Sequence, residues 1–73
     1  MESQYVIWSF EHNQWWAPNR QGYVSSLKNA GTYSREEAAM IVIDSVLLEE
    51  VAMLKQLASR HGHPRFHPYK GEM

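Results

Sequence analysis

The apolar residues of this chain are most concentrated between residues 34 and 60. Six of them recur there at three- and four-residue spacing: Met40, Ile43, Leu47, Val51, Leu54 and Ala58. This spacing places side chains on one face of an α-helix, and two further apolar stripes run beside the first. The pattern therefore predicts one long helix from about residue 34 to residue 60. An ordinary surface helix carries a single apolar stripe, so this helix has apolar surface to cover on most of its sides.

Both ends of the predicted helix carry sequence signals. Ser34 followed three residues later by Glu37 forms a capping box, in which each side chain bonds the backbone N–H of the other residue. At the other end, basic His61 precedes Gly62, and Pro64 lies just beyond. Glycine after the last helical residue and proline soon afterwards are typical of a helix C-terminus.

The segment before the helix is rich in β-branched and aromatic residues, which favour strands. Three short strands are predicted, over residues 4–10, 15–17 and 23–25. Asn13 and Gly22 lie between them and tolerate the positive φ of tight turns. A single helical turn is expected at 26–31. The predicted fold class is therefore α+β, a short three-stranded antiparallel meander followed by one helical turn and one long helix (βββα).

The size of the chain limits how much of this apolar surface it can bury alone. It has 73 residues and no cysteine, so disulfides add no stability. A domain of this size buries only about 60% of the surface exposed by its unfolded chain. Either the sheet covers the helix, or a second copy or a partner covers part of it, and we expect a homodimer through the long helix. The self-association residues are then Leu47, Leu48, Val51, Leu54 and Leu57.

Two domain-level expectations follow from composition. Residues 1–61 form a single domain, and residues 62–73 form a flexible basic tail with prolines and histidines.

The longest apolar run is about 11 residues, against the roughly 20 that a transmembrane helix needs, so no membrane span is predicted. The start of the sequence lacks the pattern of a signal peptide, and a cytoplasmic location is expected.

The strongest candidates for metal ligands lie at the end of the predicted helix and in the tail, although the signal is weak. His61, His63 and His67 lie within seven residues, a spacing that zinc accepts. Histidines in a tail without a surrounding scaffold are more often solvated, so no cofactor is expected. The absence of cysteine, of a Gly-x-Ser-x-Gly motif and of a glycine-rich phosphate loop favours a protein that is not an enzyme.

A cluster of aromatic residues lies in the predicted strands. Trp15 and Trp16 are adjacent, so they point to opposite faces of a sheet, and one of them is expected in the core. The other lies outside, either as a structural residue or, with neighbouring polar residues, as a binding hot spot. The candidate partner-binding residues are Glu11, His12, Trp15, Trp16, Arg20 and Tyr23.

The sequence also carries a resemblance to a known group of proteins. The shared residues are Trp8, Ser9, Glu11, His12, Trp15, Trp16, Pro18, Gly22 and Tyr23, followed by Ala30, Gly31, Tyr33, Ser34, Glu36, Glu37 and Ala38. Over about residues 5–43 this pattern resembles a family of small uncharacterised phage and prophage proteins. The resemblance implies a compact unit from a mobile element. Many proteins of that setting bind and block host machinery, including CRISPR and other defence systems.

The expected function follows from these observations together. The chain is predicted to be a non-enzymatic phage-type accessory protein that binds and modulates or inhibits a host protein complex, plausibly as an anti-defence factor resembling anti-CRISPR proteins. The alternative is a small nucleic-acid-binding protein that uses Arg20, Lys28, Arg35 and the basic tail. The net charge of −1 provides no strong field for nucleic acid and makes this alternative the weaker one.

Overall fold

The structure, a computed structural model, describes residues 4–44 and 50–65. The strands are β1 (Tyr5–Ser9), β2 (Gln14–Trp16), β3 (Tyr23–Val24) and β4 (Glu50–Leu54). The helices are α1 (Arg35–Asp44) and α2 (Lys55–His61), and single 3-10 turns occur at Pro18–Arg20 and Leu27–Asn29. The fold is a small α+β domain.

The strands form one antiparallel sheet in the order β3-β2-β1-β4. β1 is an interior strand, in which Trp8 lies between Trp15 of β2 and Val51 of β4. Its β-branched and aromatic side chains suit this position, because both faces of the strand are covered. Val6 and Ile7 are fully buried, although they point to opposite faces.

Each face of the sheet has its own apolar core. On one face α2 packs over the sheet, and the buried residues are Val6, Trp8, Trp15 and Ala58. On the other face α1 packs over the sheet, and the buried residues are Ile7, Tyr33, Ala38 and Ile41. The indole rings of Trp8 and Trp15 meet edge to face, with centroids 5.0 Å apart. The sheet is therefore the middle of three layers.

The start of α1 follows the predicted capping box. The Glu37 backbone N–H donates to Ser34 Oγ at 3.1 Å, and the Ser34 N–H donates to Glu37 Oε1 at 3.3 Å. Ala38 and Ile41, three residues apart, face the sheet and are buried. Ile43 points outward and is 74% exposed. The capped first turn and this narrow apolar face fix how α1 lies on the sheet.

The single long helix predicted over 34–60 is wrong. The helical segment α1 ends at Asp44, and residues 50–54 form β4, which pairs with β1 over five residues. The physical reason is that residues 50–54 can pair with the second edge of β1, where their apolar side chains are covered on both faces of the sheet. An uninterrupted apolar run fits such a strand as well as it fits a helix. The predicted three-stranded sheet is accordingly wrong in strand number, since the sheet has four.

The residues predicted for self-association lie on different elements of the structure. Val51 and Leu54 are half-buried in β4, and Leu57 lies in α2, where it is 44% exposed. These three residues do not share a helix face. Leu47 and Leu48 lie outside the described residues. A dimer through a continuous helix is therefore not supported by this fold.

Several local predictions are confirmed. Asn13 and Gly22 have positive φ angles of 54° and 99°. Gly62 follows the last residue of α2 with a φ of 80°, and its N–H donates to the Ala58 carbonyl at 2.8 Å. Within residues 4–44 and 50–65, the helices are too short and insufficiently apolar to cross a bilayer.

The β1–β4 pairing predicts a specific NMR contact. Ile7 and Ala52 are opposite each other and lie one residue from the bonded pairs, so their Hα atoms approach closely. We expect a strong Hα–Hα nuclear Overhauser effect between them. The neighbouring pair Trp8 and Val51 serves as a control, because its Cα atoms are about 1 Å farther apart. A helix over residues 50–54 would not give the effect between Ile7 and Ala52.

A second test concerns the close approach of the backbone at Gly31. A Cβ atom at this position would lie 2.6 Å from Pro18 Cα and 2.7 Å from the Ala17 carbonyl oxygen. We expect Gly31→Ala to lower the free energy of unfolding by about 1–3 kcal/mol, measured by urea denaturation. Thr32→Ala, at the exposed neighbouring position, should change it by less than about 0.5 kcal/mol. Equal effects of the two substitutions would contradict this packing.

Candidate functional site

The adjacent tryptophans have different environments. Trp15 is only 3% exposed and belongs to the core on the α2 face. Its burial removes it from any surface that a partner can contact without opening that core. Trp16 points to the opposite face and is half-buried. The sequence predicted that one of the pair is internal, and the structure assigns that role to Trp15.

Three side chains on the α1 face of the sheet form what we call the aromatic patch: His12, Trp16 and Tyr23. The His12 and Tyr23 rings stack with centroids 4.0 Å apart and an angle of 27° between their planes. The Trp16 ring meets Tyr23 edge to face at 6.2 Å. Tyr23 is 37% exposed and His12 is also exposed. The patch therefore presents aromatic and polar atoms to solvent together.

The turn between β1 and β2 positions His12. The His12 backbone N–H donates to Ser9 Oγ at 3.1 Å, and Asn13 adopts a left-handed conformation. These two features fold the turn back, so that the imidazole of His12 reaches Tyr23 on β3. Ser9 is fully buried, and its hydroxyl is used in holding this turn.

Two carboxylates influence the patch, those of Glu11 and Glu50. Glu11 Oε1 lies 3.9 Å from His12 Nε2. Glu50 of β4 is opposite Ser9 and only 8% exposed. Burial raises the pKa of the Tyr23 hydroxyl above its usual value of 10.0, and the negative charges of Glu50 and Glu11 raise it further. Tyr23 is therefore a neutral hydrogen-bond donor and acceptor at physiological pH.

Glu50 was not among the sequence-derived candidates. It lies within the helix that was predicted over residues 34–60, whereas in the structure it begins β4. A signal existed in its position at the start of an apolar run, but that signal has meaning only once the run is recognised as a strand.

The indole nitrogen of Trp16 is a further feature of the patch. Trp16 Nε1 is buried and has no hydrogen-bond partner among the described residues. A buried polar group without a partner costs about 1–3 kcal/mol relative to a satisfied one. The Trp16 ring meets Tyr33 edge to face as well as Tyr23, with the Trp16 and Tyr33 centroids 6.4 Å apart.

Arg20 lies in a separate cleft behind the patch. Its backbone N–H donates to the Tyr33 hydroxyl at 3.0 Å, and that hydroxyl donates to the Ala17 carbonyl. Both Asn19 and Arg20 have a φ of 59°, an uncommon conformation for residues other than glycine. The cleft has a volume of about 240 Å³ and is lined by Asn19, Arg20, Thr32, Tyr33 and Glu37. Arg20 and the acidic Glu37 therefore line the same cleft, and Tyr33, whose ring contacts Trp16 of the patch, lines it as well.

The basic residues proposed for nucleic-acid binding lie on separate elements. Lys28 is exposed in the 3-10 turn Leu27–Asn29, and Arg35 is exposed at the start of α1, directly before Glu36 and Glu37. Acidic residues thus accompany both Arg20 and Arg35. A continuous basic groove would need cations next to each other without such neighbours.

The histidines suggested as metal ligands have other contacts. His63 stacks on Trp8, with ring centroids 4.0 Å apart and planes within 5° of parallel. Its Nδ1 lies 2.9 Å from the Pro64 carbonyl oxygen. His61 ends α2, and His67 lies outside the described residues. Among residues 4–44 and 50–65, no group of three or more His, Cys, Asp or Glu side chains is arranged to hold a metal ion.

Comparison with known proteins adds no relative to this picture. The chain matches no family model, no curated protein and no solved structure.

The raised pKa of Tyr23 predicts a pH dependence of stability. The folded state holds this proton more tightly than the unfolded state, so the stabilisation is complete below pH 10 and is lost as pH rises above it. Tyr23→Phe has no proton to lose at this position. We therefore expect its free energy of unfolding, measured by urea denaturation, to fall less steeply above pH 10 than that of the unsubstituted protein. Parallel profiles would contradict the shift.

Proposed function

We propose that this protein is a non-enzymatic protein-binding module that recognises its partner through the aromatic patch. The observation that carries the proposal is the stacking of exposed His12 on exposed Tyr23, buttressed by Trp16. Tyrosine and tryptophan provide large contact areas with few rotatable bonds, and they are enriched among residues that dominate binding energy. A rigid pair of stacked rings loses little further entropy when a partner covers it.

The charges near the patch indicate the kind of partner surface. Glu11 is exposed beside His12, and the negative charge of Glu50 also acts on Tyr23. A complementary partner would present basic or hydrogen-bonding side chains around a central apolar contact. An arginine is the best match, because it can stack on an aromatic ring and pair with a carboxylate at the same time.

The sequence resemblance to phage and prophage proteins supports a component of the host cell as the partner. On this proposal the protein acts in the host cytoplasm, where it modulates or inhibits a host complex. An anti-defence role, resembling that of anti-CRISPR proteins, is one form of such inhibition. Self-association as a homodimer is also part of the proposal.

A binding role accounts better for these polar residues than a catalytic one. His12 and Glu11 are close enough to form an acid–base pair. However, the hydroxyl in contact with the His12 backbone belongs to Ser9, which is fully buried and already accepts that N–H. A nucleophile must reach a substrate, and Ser9 does not reach the surface.

Nucleic-acid binding remains the alternative function. It would use Arg20, Lys28 and Arg35, together with the predicted basic tail. The acidic residues next to Arg20 and Arg35 weaken the local positive potential on which phosphate binding depends. For this reason we favour a protein partner.

The proposal is tested by quantitative capture of host proteins on the immobilised full chain. We expect Tyr23→Ala to weaken binding of the captured partner by about thirtyfold or more, as for a central hot-spot residue. Asn29→Ala, an exposed position in the 3-10 turn Leu27–Asn29, provides the control and should leave capture unchanged. Circular dichroism and thermal unfolding of both variants establish that they are folded.

Two outcomes would reject the proposal. One is a partner retained equally by the unsubstituted protein and by Tyr23→Ala. The other is capture that disappears after nuclease treatment, together with a steep salt dependence of binding to oligonucleotides, which would favour the nucleic-acid alternative.

A further inference from the structure

The outer edge of β4 is a further feature of the sheet, separate from the aromatic patch. β4 is the last strand in the sheet order and pairs with β1 on one side. On its other side, no strand pairs with it among residues 4–44 and 50–65. The strand is apolar from Val51 to Leu54 and contains no lysine, proline or glycine. Apart from Glu50 at its first position, which is only 8% exposed, it therefore lacks the usual residues with which proteins prevent a sheet edge from pairing with another chain.

The register of β1 and β4 shows which backbone groups point away from the sheet. The Lys55 N–H donates to the Gln4 carbonyl at 2.9 Å, so the bonded positions of β4 alternate from there to Met53 and Val51. Tyr5 agrees with this register, because its N–H and carbonyl bond Tyr33 on the side away from β4. The outward N–H and carbonyl groups are consequently those of Glu50, Ala52 and Leu54.

We propose that this edge pairs with β4 of a second copy of the chain, antiparallel about a twofold axis at Ala52. This inference rests on the self-association included in the proposed function and names its interface. The two four-stranded sheets would then join into one continuous sheet of eight strands. Ala52 faces Ala52 of the other copy, and Glu50 faces Leu54. Every outward backbone group of the strand gains a partner in this register.

Other registers satisfy fewer groups. A shift by one residue would place each residue with outward N–H and carbonyl groups opposite a residue whose own groups point inward to β1. This follows because bonded and non-bonded positions alternate along a strand. A shift by two residues would leave the end of each strand without a partner. The strand is thus self-complementary in one register, as a twofold interface requires.

The charges at the ends of β4 favour the antiparallel arrangement. The strand begins with the carboxylate of Glu50 and is followed directly by the ammonium group of Lys55. Antiparallel pairing separates Glu50 of one copy from Glu50 of the other, and Lys55 from Lys55. Parallel pairing would bring like charges together at both ends.

Apolar side chains on the two helices enlarge the interface beyond the strand pair. Both α1 and α2 pack against β4, from opposite faces of the sheet. They carry the exposed apolar residues Met40, Ile43 and Leu57, which are 60%, 74% and 44% exposed. A two-stranded contact alone is marginal in water, and stable interfaces bury about 1,200–2,000 Å². Joining the edges brings the helices of the two copies together on each face.

The decisive variant is Ala52→Pro in the full chain. Its proline removes an N–H that points outward, so the bonds between β4 and β1 are kept. We expect a folded monomer, with dimerisation weakened by about tenfold or more because two bonds across the axis are lost. Met53→Pro is the matched control, since its N–H bonds β1, and it should unfold the protein. Sedimentation equilibrium over a range of concentrations measures the mass of each variant.

A second measurement does not depend on whether the Ala52→Pro variant folds. Hydrogen exchange of the unsubstituted protein should show amide protection of Glu50, Ala52 and Leu54 that increases with protein concentration. Protection of Val51 and Met53 should not depend on concentration. A monomer at all concentrations, or a dimer in which the outward amides exchange at one constant rate, would overturn the proposed interface. Tyr23→Ala should leave the mass unchanged, which separates this inference from partner recognition.

Discussion

The pairing of β4 with β1 is the contact on which the other parts of this fold depend. It gives β1 a hydrogen-bonded neighbour on each side and makes it an interior strand of the sheet. It also places the two helices, because α1 precedes β4 and α2 follows it directly. Helices of ten and seven residues are too short to be stable alone in water. Their stability comes from the sheet that β4 completes.

Features governed by neighbouring residues were predictable from the sequence. The capping box of Ser34 and Glu37, the positive φ of Asn13 and the end of α2 before Gly62 depend on contacts within a few residues. The identity of β4 depends instead on β1, more than forty residues away in the chain. An apolar run with helical spacing does not reveal whether two covered faces or one helix will bury it.

The same distinction applies to the recognition surface. Opposite orientations for Trp15 and Trp16 follow from strand geometry alone, but their different burial depends on which helix packs on which face. The stacking of His12 on Tyr23 requires a turn that folds back over a neighbouring strand. The burial of Glu50 is a consequence of β4 itself. Long-range pairing therefore determines the parts of the site that local patterns do not reveal.

The order of the strands has a consequence for the synthesis of the protein. β1 is synthesised before β2, β3 and α1, whereas its neighbour β4 is made only after all three. During that interval one edge of an apolar strand has no partner within the nascent chain. Such edges can associate with other unfinished chains when many ribosomes translate one message. Rapid arrival of β4 would limit this exposure, so the speed of elongation across residues 10–54 affects the yield of folded protein.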